Sequence, residues 1–191
     1  MFRKASIKIF VGTAPEHARA DRVLKYSIEK HATQPVEISY MKPGRLPVQG
    51  GVTGFTFFRF LVPWICGFKG YAIYLDSDMV LQTDISELYD LRSKGKWVRH
   101  AHPEGDCVSV IDCSAVRLTP DDINASTKWG LRQQLKGVYD LSLPDAWNTR
   151  DTLQGAKLVH YTAMEHQPWL SDSHPDVVAK EHWLNLEREC K

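Results

Sequence analysis

The chain has 191 residues, 43% hydrophobic and 25% charged, with no low-complexity tract, so one packed domain spanning residues 1–191 is expected and disorder is not. Its formal net charge is +1, so no global field recruits nucleic acid or an anionic membrane. No apolar run approaches the ~18 residues of a transmembrane helix, and the four cysteines (Cys66, Cys107, Cys113, Cys190) lack the CxxC spacing of structural zinc or redox sites.

The opening segment, MFRKASIKIFVG, has too short an apolar core for a signal peptide, so a reducing cytoplasm with free thiols is expected. Residues 7–11 (IKIFV) read instead as a buried strand closed by Gly12 and Thr13. Residues 15–31 have helical composition, with Ala20, Val23, Leu24 and Ile28 at helical spacing. Residues 36–41 (VEISYM) alternate as a second strand, and residues 42–54, with two prolines and four glycines, read as a loop. The aromatic run over 55–66 (FTFFRFLVPWIC) predicts a buried helix that Pro63 kinks or ends.

Residues 71–75 (YAIYL) are a strong strand signal, stopped by Asp76-Ser77-Asp78. A short helix over 85–91 has Thr83 or Asp84 as its cap, and 97–101 and 108–112 read as strands. Thr119-Pro120-Asp121-Asp122 is a helix start, a cap followed by proline and by acids facing the positive end of the dipole; that helix is expected to run to Leu135. Residues 144–152 are irregular, 156–161 (AKLVHY) form a late strand, and 176–189 form a terminal amphipathic helix that packs on the body or makes a homodimer contact. Strands alternating with helices, without an internal repeat, predict an α/β architecture around a mainly parallel sheet.

In such a sheet ligands bind beyond the carboxyl ends of the strands. Asp76 and Asp78 stand at such an end, and residues two apart on an extended chain project to one side, so the two carboxylates converge and Ser77 faces away. Two adjacent carboxylates repel unless a cation lies between them, which points to a divalent metal. With 14 aspartates in 191 residues an Asp-x-Asp arises by chance, so the apolar strand before it carries the reading. His160 also ends an apolar run. Joined to the aspartate pair it makes a mixed N/O site suited to manganese, with magnesium possible.

Four blocks, in order along nearly the whole chain, resemble the family 8 glycosyltransferases, the glycogenin and galactosyltransferase group. YAIYLDSDMV (71–80) is similar to the family's DxD segment, and HYTAMEHQPW (160–169) to its late His…Pro-Trp motif. TFFRFLVP (56–63) resembles the helix that bears an arginine, and IFVGTAPEHA (9–18) the first strand and nucleotide-binding turn. The resemblance, to a short bacterial- or viral-type member, implies a GT-A fold, a Rossmann-like mixed but mainly parallel sheet flanked by helices. It implies Mn2+ (or Mg2+) held by Asp76, Asp78 and His160. It implies a UDP-sugar donor touched by Val11, Gly12, Thr13, Arg59, Asp76 and Ser77, with Ser77 approaching the ribose through its backbone.

Where family members often carry a lysine that touches the diphosphate, Gln167 stands here, so His166 or another base is expected to share that task. The interval from the histidine to the Pro-Trp is one residue longer than in glycogenin-like members. The Asn-rich block after the fifth strand is replaced by Gly105-Asp106-Cys107, and no Asp-Gln-Asp segment is present. Asp106, Asp112, Asp145 and Asn148 are therefore the candidates for the sugar-binding and catalytic wall. Trp147 and Asn148 resemble a Trp-Asn pair of a bacterial branch.

The implied reaction is transfer of a hexose, glucose or galactose, with retention at the anomeric carbon, to an unknown sugar, lipid or protein acceptor. Two alternatives stand beside it. One is a phosphatase-type hydrolase using the Asp-x-Asp as nucleophile and acid; the other is a non-catalytic nucleotide-sugar binding module.

Overall fold

The computed structural model of the protein describes residues 5–48, 54–102 and 105–190. The middle of the loop expected over 42–54 and the first residues of the N-terminal segment lie outside that range. A six-stranded sheet forms the centre, in the order β2-β1-β3-β6-β5-β7. Its strands are β1 (Ile7–Gly12), β2 (Val36–Met41), β3 (Tyr71–Asp76), β5 (Trp97–Arg99), β6 (Val108–Asp112) and β7 (Tyr139–Asp140). β1 runs parallel to β2 and β3, and β5 to β7. β6 is reversed, antiparallel to both β3 and β5.

Both faces of this sheet are covered, and side-chain alternation sorts the apolar residues between them. Phe10, Ala72, Tyr74, Trp97 and Ile111 point to one face. There they meet α2 (Phe58–Ile65), α4 (Pro120–Asn124) and α5 (Lys128–Gln134) through Phe58, Phe60, Leu61, Ile123 and Leu131. Ile9, Val11, Ile73, Leu75, Val98 and Val110 point to the other face. That face is closed by α1 (Ala18–His31) through Leu24 and Ile28, and by α3 (Ile85–Tyr89) through Ile85 and Leu88.

A second, three-stranded sheet is built from β4 (Met79–Leu81), β9 (Leu158–His160) and β8 (Thr149–Arg150). It packs through Val80, Val159 and Tyr161 against α1 and α6 (Val177–Glu189), where Trp169 and Trp183 lie with ring centroids 5.4 Å apart. β4 has no counterpart in the periodicity reading, because its three residues are too few to show a period. The expected late strand and terminal helix are present as β9 and α6, the latter capped by the Asp176 carboxylate accepting from the Ala179 N–H.

Three helical expectations are refined. The helix expected over 15–31 begins as a 3-10 turn at Pro15–His17 before α1. Pro63 sits inside α2 instead of ending it. The stop comes at Gly67, in the left-handed region at φ 61°, where the Phe68 N–H reaches the Pro63 carbonyl at 2.8 Å and the Gly67 N–H reaches that of Trp64 at 2.9 Å. The helix expected from Thr119 to Leu135 is two, because Thr127 acts as a fresh cap, its hydroxyl accepting from the Gly130 N–H at 3.0 Å. Among the described residues all four cysteines are free, and no helix is long and apolar enough to cross a membrane.

Candidate metal and donor site

Sheet register brings the sequence-distant residues together. β3 ends at Asp76, paired with Gly12 of β1, and the next residue, Ser77, donates its N–H to the Gly12 carbonyl at 3.1 Å. The chain then crosses into β4, whose first residue, Met79, lies opposite His160 of β9. The Tyr161 N–H closes the ladder on the Asp78 carbonyl at 2.8 Å. His160 Nε2 thereby stands 3.2 Å from Asp78 Oδ1, both side chains largely buried.

The other ring nitrogen fixes the tautomer. His160 Nδ1 lies 2.9 Å from Asn148 Oδ1, an acceptor, so Nδ1 carries the hydrogen and Nε2 presents its lone pair toward Asp78. Asp78 Oδ1 is buried and accepts no hydrogen bond. A carboxylate oxygen without a donor, facing an imidazole lone pair, needs a cation between or beside them. A proton on Nε2 also meets that need: burial works against a charged His160, yet Asp78 and Cys107 hold its pKa well above the usual histidine value. Burial likewise opposes ionisation of Asp78, but His160, with help from His17, keeps its pKa below the ordinary carboxylate value.

Asp76 is held differently. Arg59 of α2 donates Nη2–H to Asp76 Oδ1 and Oδ2 at 3.0 and 3.2 Å, and Tyr74 donates its hydroxyl at 2.8 Å. Burial still raises the Asp76 pKa; Arg59 opposes this and the neighbouring Asp78 adds to it. Donor atoms of Asp76, Cys107 and His160 all lie within 4.8 Å of one another. That trio includes the Cys107 sulfur and not Asp78, whose unpartnered Oδ1 stands 3.2 Å from His160 Nε2; the two carboxylates and the imidazole nitrogen make a donor set that suits a divalent cation such as Mn2+.

A cavity of about 650 Å³ opens over this cluster, lined by Arg59, Asp76, Asp78, His160 and Gln167 among others. Val11, Gly12, Thr13 and Ser77 do not line it. Val11 points into the core, Thr13 and Ser77 are fully buried, and the cavity wall is formed instead by the next residues, Ala14 to His17. Gly12 is required for another reason: a Cβ there would stand 2.0 Å from the Tyr74 hydroxyl. Ser77 Oγ bonds His17 Nδ1 at 2.7 Å, and so it fixes a cavity residue from behind. Gln167 donates to Asp78 Oδ2 at 3.3 Å and to the Tyr161 carbonyl at 2.9 Å, so both its N–H groups brace the metal cluster. His166 lies outside the lining and bonds Ser173 at 2.8 Å.

The four candidates for the sugar-facing wall separate in the same way. Asp106 is fully buried and both its oxygens are engaged. It takes Arg59 Nη1 at 2.9 Å and Arg132 Nε and Nη2 at 2.8 and 2.6 Å, which makes it the anchor of Arg59. Asn148 is the partner of the His160 ring. Asp145 is exposed, 2.6 Å from His100 Nε2, and lines a neighbouring cavity of about 490 Å³. Asp112 lies at the opposite end of the strands, beside Tyr71, its carboxylate accepting from the Gly95 and Ser114 N–H groups, because β6 runs antiparallel.

That same reversal carries the 3-10 turn that leads into β6 (Gly105–Cys107), and with it Asp106 and Cys107, to the site. Cys107 Sγ is 3.6 Å from His160 Nδ1. Cys107, His17 and Arg150 line the cavity without having been singled out from sequence. His17 lies in the first resemblance block and Arg150 two residues after Asn148, and those positions were the available signals.

No family model matches the chain. It is 28% identical to Protein CDI of Arabidopsis thaliana over 95% of this chain and 86% of that protein. The glycosyltransferase GlyE of Streptococcus pneumoniae TIGR4 superposes with a TM-score of 0.72 over 96% of this chain, at 15% identity, and this chain spans 60% of the GlyE chain. The galactosyltransferase LgtC, solved with donor and acceptor sugar analogs, superposes with a TM-score of 0.66 at 12% identity over 96% of both chains. These likenesses establish a GT-A fold, in agreement with the α/β class and the mixed sheet expected from sequence.

Proposed function

We propose that this chain is a metal-dependent glycosyltransferase that moves a hexose, glucose or galactose, from a UDP-sugar to an acceptor with retention at the anomeric carbon. The observation that carries the reading is the pairing of Asp78 Oδ1 with His160 Nε2 at 3.2 Å, on segments far apart in sequence, at the floor of a cavity of about 650 Å³. A cavity of that size suits a small-molecule ligand. The GT-A likeness to GlyE and LgtC supports the same chemistry.

In this reading Asp76, Asp78 and His160 hold a manganese or magnesium ion, which supplies Lewis-acid stabilisation of the charge that grows on the departing diphosphate. Asn148 holds the His160 ring with Nε2 free for the ion, and Gln167 braces Asp78. Arg59, anchored by Asp106, donates to both Asp76 oxygens and opposes the upward pull of burial on the Asp76 pKa. The bond from the anomeric carbon to the diphosphate oxygen breaks, one to the acceptor hydroxyl oxygen forms on the same face of the sugar, and the hydroxyl proton passes to the released diphosphate.

Incubation with UDP-glucose and UDP-galactose in Mn2+ tests this. Slow release of UDP that disappears with chelator and in Asp78→Ala is the expected result. Release of phosphate from p-nitrophenyl phosphate, with no UDP released from either sugar nucleotide, would overturn it in favour of a hydrolase.

A further inference from the structure

The cavity of about 490 Å³ beside the first is lined by His100, His102, Asp145, Thr149, Arg150 and Gln154, with Asn148 in its wall. Two residues join it to the metal cluster. Arg150 lines both cavities, and Asn148 touches the His160 ring from behind. A molecule held in the second cavity therefore lies next to whatever occupies the first. The volume lies within the roughly 300–1,000 Å³ of small-molecule sites. Among the described residues Ala146 and Gly155 complete the lining, and no large aliphatic side chain is there to meet a lipid chain. Imidazole, amide, carboxylate and hydroxyl groups instead match a ligand rich in hydroxyls.

Arg150 sets the charge preference. Its side chain is exposed, and among the described residues no carboxylate lies within 4.0 Å of it; its Nη2 rests 3.1 Å from His102 Nδ1. By contrast, Arg59 spends its donors on Asp76 and Asp106, and the Asp145 carboxylate faces His100. Arg150 is also held in place. It pairs in register with His160 across the β8/β9 ladder. The following residue, Asp151, sits in the left-handed region at φ 55°. Its carboxylate is clamped by the Thr162 hydroxyl at 2.5 Å and the Ala163 N–H at 3.2 Å. A strained non-glycine residue fixed by its own side chain pins the backbone on which the guanidinium is mounted. An exposed guanidinium without a carboxylate partner among the described residues, lining both cavities, is a ready partner for a phosphate or carboxylate group.

We propose that the second cavity binds the acceptor, and that this acceptor is a hydroxyl-rich molecule bearing an anionic group that Arg150 holds. The proposal rests on the first cavity being the donor site. Glucose 6-phosphate, glucuronate and glucose serve as probes in calorimetric titrations of the wild type, Arg150→Ala, Arg150→Lys and His100→Ala, each also titrated with UDP and Mn2+. At least one anionic probe is expected to bind the wild type tenfold or more tightly than glucose. Which one binds distinguishes a phosphate from a carboxylate. Arg150→Ala should lose that preference at least tenfold and Arg150→Lys should recover part of it, while His100→Ala weakens the probe and leaves UDP binding unchanged.

Glucose binding as well as either anion would overturn the proposal, as would failure of both anions to bind or an unchanged affinity in Arg150→Ala. So would loss of UDP binding with the anionic probe retained, since the guanidinium would then belong to the donor. Should Arg150→Ala not fold, an unchanged probe affinity in His100→Ala is the overturning result. A wild type that binds the anionic probe but not UDP defeats the donor reading alone.

Discussion

Asp106 shows how a residue type that sequence offers as catalytic becomes a support. Three guanidinium nitrogen contacts from Arg132 and Arg59 saturate its carboxylate in a fully buried setting. Burial raises its pKa, but the two arginines more than offset this and bring it down to about 2. The folded-state pKa lies below the unfolded value of 3.8, so this carboxylate's contribution to stability is complete above pH 4 and drains away as the pH falls toward 2. Asp106→Asn leaves the buried Arg59 and the half-buried Arg132 short of a partner and is expected to cost about 3–5 kcal/mol at pH 7. Urea melts at pH 7 and pH 3 check this, with the gap between wild type and variant narrowing at the lower pH.

Asp76 and His160 were readable from sequence because each follows an apolar run, which fixes it at a strand end, and Asp78 because it stands two residues after Asp76. Asp106, Cys107 and Arg150 were not readable in their roles, because those depend on which strand runs backwards and on a two-residue strand too short to show a period.

Among the strands, β1 and β3 meet at their carboxyl ends through a contact that tolerates no side chain on Gly12. A Cβ there would lie 2.0 Å from the Tyr74 hydroxyl oxygen and 2.9 Å from its ring carbon Cζ. Gly12→Ala must push Tyr74 away from Asp76, to which its hydroxyl donates at 2.8 Å. The expected loss is about 1–3 kcal/mol, typical of overpacking. Tyr74→Phe removes the closest atom, so the double variant should cost less than the sum of the two singles in a denaturation cycle. Additive costs would mean that the two residues do not press on one another.

Helix positions were largely legible, since Thr119-Pro120-Asp121-Asp122 and the Thr83-Asp84 pair announce their caps. Helix ends were less so. Pro63 was expected to kink or end α2, whereas the left-handed Gly67 ends it, and Thr127 divides one expected helix into two. In both places a local hydrogen-bond geometry outweighed the residue that propensity singles out.

Seen across its full extent, the fold exists to hold one junction. The large sheet delivers Asp76, the small sheet delivers His160, the crossing between them carries Asp78, and α2 supplies Arg59 from the face of the large sheet. The α/β class was legible because strands and helices alternate along the chain. The second sheet was not, since β4 and β8 are three and two residues long and gain their pairing only from β9.

The decisive measurement on the junction is a titration with Mn2+ in the presence of UDP, following the electron paramagnetic resonance signal of the free ion. The site described here takes up one ion per chain. Asp78→Ala and His160→Ala should abolish that uptake, and Asn148→Ala should weaken it by about 10–100-fold through loss of the ring's orienting partner. Free manganese persisting in the wild type, or uptake undiminished in Asp78→Ala and His160→Ala, would contradict it.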